Sequence, residues 1–228
     1  MSPLAPPSAP NKVKIMQAPH DDPHTDETAL TPETPRKRPK PGERRVQILQ
    51  ALATMLEQPG SERITTASLA QQLEVSEAAL YRHFASKAQM FEALIDFIEQ
   101  SVMGFVGQLE QREPDARQRA RKLLSWVLQF AEKNPGLCRV MVGDALVLEH
   151  ERLQQRVNLL FDKLEAQLRQ CLREAGVVAG SATPTVQAQA DAALMMAWCV
   201  GRLHGFARSG FKRLPSEHLE HHLAALIR

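Results

Sequence analysis

The chain has 228 residues, 43% of them hydrophobic and only 5% aromatic, with 28 Lys and Arg against 26 Asp and Glu. That is long enough to bury a sizeable core, and the abundance of Leu, Ala, Gln, Glu and Arg after residue 42 favours helices over sheets. Three scattered cysteines without a C-x-x-C spacing, no apolar run after Met1 and a longest apolar stretch of only 192–200 speak against disulfide, metal and membrane classes. A cytoplasmic protein with buried free thiols is expected.

Ten of the fifteen prolines lie between Pro3 and Pro41, among Ser, Thr and acidic residues without helical or strand period. Such a segment cannot bury enough apolar surface to offset its chain entropy, so 1–42 is expected to be disordered. It ends in Arg36-Lys37-Arg38-Pro39-Lys40, followed by Arg44 and Arg45. This is either a solvated basic linker or an arm for DNA phosphate or a minor groove. Between 36 and 87 nine basic residues face five acids, so the positive excess is local, as a nucleic-acid footprint requires.

Val46, Leu49, Leu52, Ala53 and Leu56 recur at helical spacing, and Pro59-Gly60 ends the run. Next comes RITTASLAQQLEVSEAALYRHFASK, residues 63–87. Thr65 or Thr66 caps a short helix, residues 73–76 form a corner, and Ser76 caps a second short helix with Glu77 against its positive end. Ala70 is small where the two helices cross, and Val75, Leu80 and Phe84 seal the corner. That leaves Ala78, Ala79, Tyr81, Arg82 and His83 facing outward, the arrangement of a helix-turn-helix whose second helix enters a major groove. The alanines allow deep entry and contact with thymine methyl groups, and Arg82 suits guanine O6 and N7. Thr65, Thr66, Tyr81, His83 and Lys87 suit phosphate. A helical hairpin with a polar outer face is the simpler alternative.

Further helices are predicted from Phe91 to Leu109, from Arg117 to Lys133 with a stop at Asn134-Pro135-Gly136, and over Leu153–Cys171 with an interruption at Gly176 and 180–184. A long helix over 186–211 and a short one after Pro215 complete the set. In the long helix Ala197, Gly201 and Gly205 form a stripe at i, i+4 and i+8. An interior Gly weakens a helix by about 1 kcal/mol relative to Ala. Close approach of another helix compensates, and with Leu194, Trp198 and Phe206 the stripe predicts a four-helix dimer interface. Packing within the chain is the alternative.

VSEAALYRHFASK resembles the signature that closes the DNA-binding domain of the TetR family, with Glu74 standing where that family usually has Gly. The resemblance implies an all-α fold: an N-terminal three-helix domain over 43–88 and a larger helical dimerisation and partner-binding domain over 89–228. EKNPGL at 132–137 and the stretch 143–174 are similar to the nucleoid-occlusion branch of the family. That branch implies a homodimer on palindromic chromosomal sites that, while on DNA, antagonises polymers of the tubulin-like division protein FtsZ. Phe97, Lys133 and Asn134 match its partner-facing positions. A ligand-released repressor on the same fold remains the alternative.

Glu217, His218, His221 and His222 have metal-compatible helical spacing but no further ligand, so neither metal nor cofactor is expected. Glu149-His150-Glu151 lacks a nucleophile or a substrate-cradling loop, and no Gly-rich phosphate loop, G-x-S-x-G or H-E-x-x-H occurs. An enzyme is not expected.

Overall fold

In the computed structural model residues 42–58 and 64–227 are described, and they form an all-helical body. The expectations for the Pro-rich segment and the basic run 36–40 lie outside the described residues. Helix α1 (Glu43–Leu56) buries Leu49, Leu52 and Leu56 of the stripe read from the sequence and adds Ile48, while Val46 and Ala53 are half-buried. Helices α2 (Thr66–Gln72) and α3 (Glu77–Tyr81) follow, and α4 (Lys87–Arg112) runs from this head into the body. The body comprises α5 (Ala116–Lys133), α6 (Pro135–Met141), α7 (Glu151–Val178), α8 (Pro184–Arg208) and α9 (Leu219–Leu226).

Side-chain caps set most of the starts. Asp115 accepts from the backbone N–H of Arg117 and Gln118 at 2.8 and 3.2 Å, and Ser86 accepts from that of Gln89 at 3.2 Å. Helices α7 and α8 pack along each other as a hairpin, α5 lies against both, and α4 lies against α5 and α7. Between them sit Phe91, Leu94, Ile98, Leu124, Phe130, Leu160, Leu164, Met195 and Cys199, all buried. Among the described residues no helix is long and apolar enough to cross a membrane.

Two glycines depart from the sequence reading, each for a packing reason. Asn134-Pro135-Gly136 ends α5 but also begins α6, with Pro135 in the first turn where a missing N–H costs nothing. A Cβ on Gly136 would stand 2.0 Å from the Ala53 carbonyl oxygen, so this glycine lets α6 rest directly on α1. Gly176 lies inside α7 rather than ending it, and a Cβ there would meet Pro184 at 3.1 Å. Phe206, expected with the α8 stripe, is instead buried edge-on to Phe211 at 5.1 Å.

The three cysteines are free and buried. Burial pushes the Cys138 and Cys199 thiols up to about 12, which keeps both protonated and unreactive.

Candidate nucleic-acid interface

The corner between α2 and α3 is built from local hydrogen bonds. Thr65 Oγ1 accepts from the Ser68 backbone N–H at 3.0 Å, and Ser68 Oγ accepts from the Thr65 N–H at 3.1 Å, a reciprocal capping box. The Val75 N–H reaches back to the Ala70 carbonyl at 3.0 Å, which needs a left-handed residue between them. Glu74 supplies it with φ 53°, at a cost of about 1–2 kcal/mol for a side-chain-bearing residue. Ser76 then caps α3, accepting from the Ala79 N–H at 3.3 Å. Leu80 and Phe84 are fully buried beneath the corner, where α3 packs against α2.

On the outer side Ala78, Tyr81, Arg82 and His83 are exposed, Tyr81 at 46%, and Ala79 is half-buried. Thr66 Oγ1 donates to Glu77 Oε2 at 2.6 Å, and the Tyr81 hydroxyl stands 3.5 Å from Thr66 Oγ1. Two residues assigned to phosphate by sequence are therefore gathered around a carboxylate.

Two cations expected to face DNA are engaged by other groups of the protein. Arg45 donates from Nη1 to the His83 carbonyl at 2.7 Å, and its guanidinium carbon lies 3.9 Å from the Phe84 ring centroid. It thereby fastens α1 to the carboxyl end of α3. Lys87 is ion-paired with Glu149, just ahead of α7. Arg44 is half-buried on α1.

In the body, Phe97 and Asn134 come close to one aromatic run. Phe97 lies 6.5 Å from Phe130, Phe130 stacks on Trp126 at 5.0 Å, and Trp126 stacks on Phe105 at 5.0 Å with planes 14° apart. Asn134 Nδ2 donates to the Phe130 carbonyl at 2.7 Å, and Lys133 is half-buried beside it. Phe105 and Trp126 were not among the positions the resemblance offered, although residues 97, 101 and 105 on α4, and 126 and 130 on α5 with Asn134 just after it, recur at helical spacing.

The α8 stripe is open. Ala197 and Gly201 are exposed, Leu194 is 58% exposed, and a Cβ on Gly201 or Gly205 would have nothing within 4 Å. Trp198 turns aside and meets His222 edge-on at 5.7 Å. The histidines of α9 do not form a metal cluster: among the described residues no group of three or more His, Cys, Asp or Glu is placed to hold an ion.

Comparison with known proteins gives the same reading of the head and particularises the body. Residues 48–94 match the family described as bacterial regulatory proteins, tetR family, and residues 115–228 match a tetracyclin repressor-like C-terminal domain of SlmA-like type. The chain is 50% identical over 188 residues to the nucleoid occlusion factor SlmA of Vibrio vulnificus, covering 82% of this chain and 95% of that one. It is 51% identical over 180 residues to that of Photobacterium profundum, covering 78% and 91%, and 49% identical over 184 residues to that of Vibrio cholerae, covering 80% and 93%. Among solved structures the fold is shared with the fatty acid degradation regulator FadR of Bacillus halodurans (TM-score 0.66, 15% identity, 83% and 97% covered). It is also shared with the TetR family regulator PfmR of Thermus thermophilus (TM-score 0.60, 22% identity, 81% and 95% covered). This is a DNA-binding regulator and not an enzyme. With half its residues unchanged over almost the whole length of these relatives, the chain belongs to the SlmA family of nucleoid occlusion factors, within the TetR fold.

Proposed function

We propose that the protein is a cytoplasmic, nucleoid-associated homodimer that binds palindromic chromosomal sites and, while bound, blocks assembly of the FtsZ ring over the DNA. The observation that carries this reading is the near-complete alignment, at about half identity, with nucleoid occlusion factors that share its head and its body.

Each function has a surface that suits it. Ala78, Ala79, Tyr81, Arg82 and His83 on α3, with Thr65, Thr66 and Ser76 at the corner, form the DNA-reading face, and Arg44, Arg45 and Lys87 add positive charge around it. The open stripe of Ala197, Gly201 and Gly205, with the exposed Leu194 on α8 and Leu159 on α7, suits a two-fold four-helix contact. Trp198 borders that contact while packing on its own α9. Phe97, Lys133 and Asn134, joined by Phe105 and Trp126, suit an apolar segment of FtsZ with a polar end. Division of the chain into a head over 43–88 and a body over 89–228 follows from these roles, with α4 shared between them.

The test is polymerisation of purified FtsZ, followed by sedimentation, with the protein alone and with a specific duplex. Inhibition that requires the specific duplex supports the reading. Unchanged polymers in both cases would refute it, and binding confined to one or two promoters in a chromosome-wide map would point to a local repressor instead.

A further inference from the structure

We propose that Glu77 is a specificity-determining residue of the DNA face: it withholds the Thr66 hydroxyl from phosphate until an exocyclic amine of a base, first of all cytosine N4, occupies its carboxylate. This rests on the reading of α3 as the element in the major groove.

Glu77 is the first residue of α3 and exposed, at the end of a recognition helix that meets base edges. A carboxylate there faces a polyanion. It repels every duplex equally unless something on the DNA compensates it. Thr66 has one hydroxyl proton, and that proton is given to Glu77 Oε2 at 2.6 Å. Phosphate oxygens only accept, so Thr66 cannot serve phosphate while it serves Glu77. The Tyr81 hydroxyl, 3.5 Å from Thr66 Oγ1, leans into the same arrangement. An internal anion thus stands in for phosphate in the free protein.

The major groove offers two kinds of edge to such a carboxylate. Cytosine N4 and adenine N6 donate, whereas guanine O6 and N7 and thymine O4 accept. Against a donor the charge is satisfied, and where the carboxylate must swing towards the base edge to meet it, the Thr66 hydroxyl is released to phosphate. Against an acceptor the carboxylate stays on Thr66 and both the base and the phosphate contact are lost. One residue therefore suppresses non-specific binding and links base reading to backbone grip. Ser76 caps α3 independently through the Ala79 N–H, so α3 does not depend on Glu77 to begin.

The experiment selects a preferred duplex from a randomised pool with the full-length wild-type chain. Wild type, Glu77→Gln and Glu77→Ala are then compared on single-base-pair variants of that duplex and on an unrelated one, with thermal midpoints as the folding control. Glu77→Ala is expected to bind the unrelated duplex several-fold more tightly and to lose on the order of tenfold discrimination at one cytosine-bearing position. Glu77→Gln, whose amide pairs with adenine N6 and N7, is expected to move that position towards adenine. If the wild type discriminates but all three proteins share its preferences and its non-specific affinity, the inference is overturned alone. If the wild type selects no sequence at all, the reading of α3 falls and the inference with it.

Discussion

Lys87 opens α4 with its ammonium on the Glu149 carboxylate, so the last cation of the DNA-reading head is tied to the segment that leads into α7. The pair is sheltered, with 24% of the lysine and 13% of the glutamate side chain exposed. Val147 and Leu148 beside it stand 79% and 67% exposed. On the proposed DNA face a phosphate at this point would compete with Glu149 for the same ammonium, which would link DNA binding to the position of the 144–150 segment.

Glu149→Gln is accordingly expected to release Lys87 and raise affinity for all duplexes alike, by a few-fold. Lys87→Ala is expected to weaken all sequences equally and to reduce the slope of log affinity against log salt by about one. Fluorescence anisotropy at several salt concentrations measures both. An unchanged slope for Lys87→Ala would mean that Lys87 stays with Glu149 when DNA binds.

The same two helices carry a longer charge ladder. Arg152 pairs with Glu92 at 2.8 Å, Arg156 reaches Asp96 and Glu99 at 2.7 and 3.2 Å, and Lys163 also pairs with Glu99. The Lys163 hydrogen bond, followed by Arg156, holds the Glu99 carboxyl below its ordinary value of 4.5. A lowered carboxyl pKa means that the unfolded chain takes up protons first as pH falls. The Glu99 contribution is therefore complete above pH 4.5 and lost as pH drops through the lower folded value. Partly exposed pairs are worth about 0.2–1 kcal/mol each. Arg156→Ala should lower the thermal midpoint by roughly 2–4 °C at neutral pH and low salt. Calorimetry across pH and salt should show that difference shrinking in strong salt and below pH 4.5.

Much of this was legible from residues. The apolar period of α1, α4 and α7 and the capping threonine and serine at 65 and 76 are local features, decided within a few positions, and the resemblance to the TetR signature marked Glu74, the left-handed residue of the corner. Helix α6 was not, because Asn134-Pro135-Gly136 reads as a stop until Gly136 is seen against Ala53, in another helix. The engagement of Arg45 and Lys87 within the protein depends on partners 38 and 62 residues away. Side-chain type announced a cation suited to phosphate, and only the tertiary neighbour decided where it points.

Arg45 is therefore expected to act mainly through α3. Its guanidinium both donates to the His83 carbonyl and lies over the Phe84 face, a pairing that an ammonium reproduces only in charge. Arg45→Lys should keep most non-specific affinity and lose about tenfold on the preferred duplex, since an exposed cation–π contact and a charged hydrogen bond together are worth roughly 2–4 kcal/mol, of which the ammonium restores part. Equal losses on both duplexes would instead make Arg45 a phosphate contact. Competition binding on the two duplexes separates these outcomes.

Gly201 and Gly205 oppose two effects that concentration tells apart. With nothing within 4 Å of either position in the chain, alanine is free to fit and each substitution should stabilise α8 by up to about 1 kcal/mol. If a partner helix approaches along the stripe, the same methyl groups hold the backbones apart and weaken the contact. The doubly substituted Gly201→Ala, Gly205→Ala chain is thus expected to self-associate at least tenfold more weakly by analytical ultracentrifugation. Its thermal midpoint in dilute, monomeric solution should rise. Binding to a palindromic duplex should fall with the dimer, because two heads no longer arrive together. Unchanged self-association alongside a higher midpoint would remove the glycine stripe from the interface and place the two-fold contact elsewhere on α7 and α8.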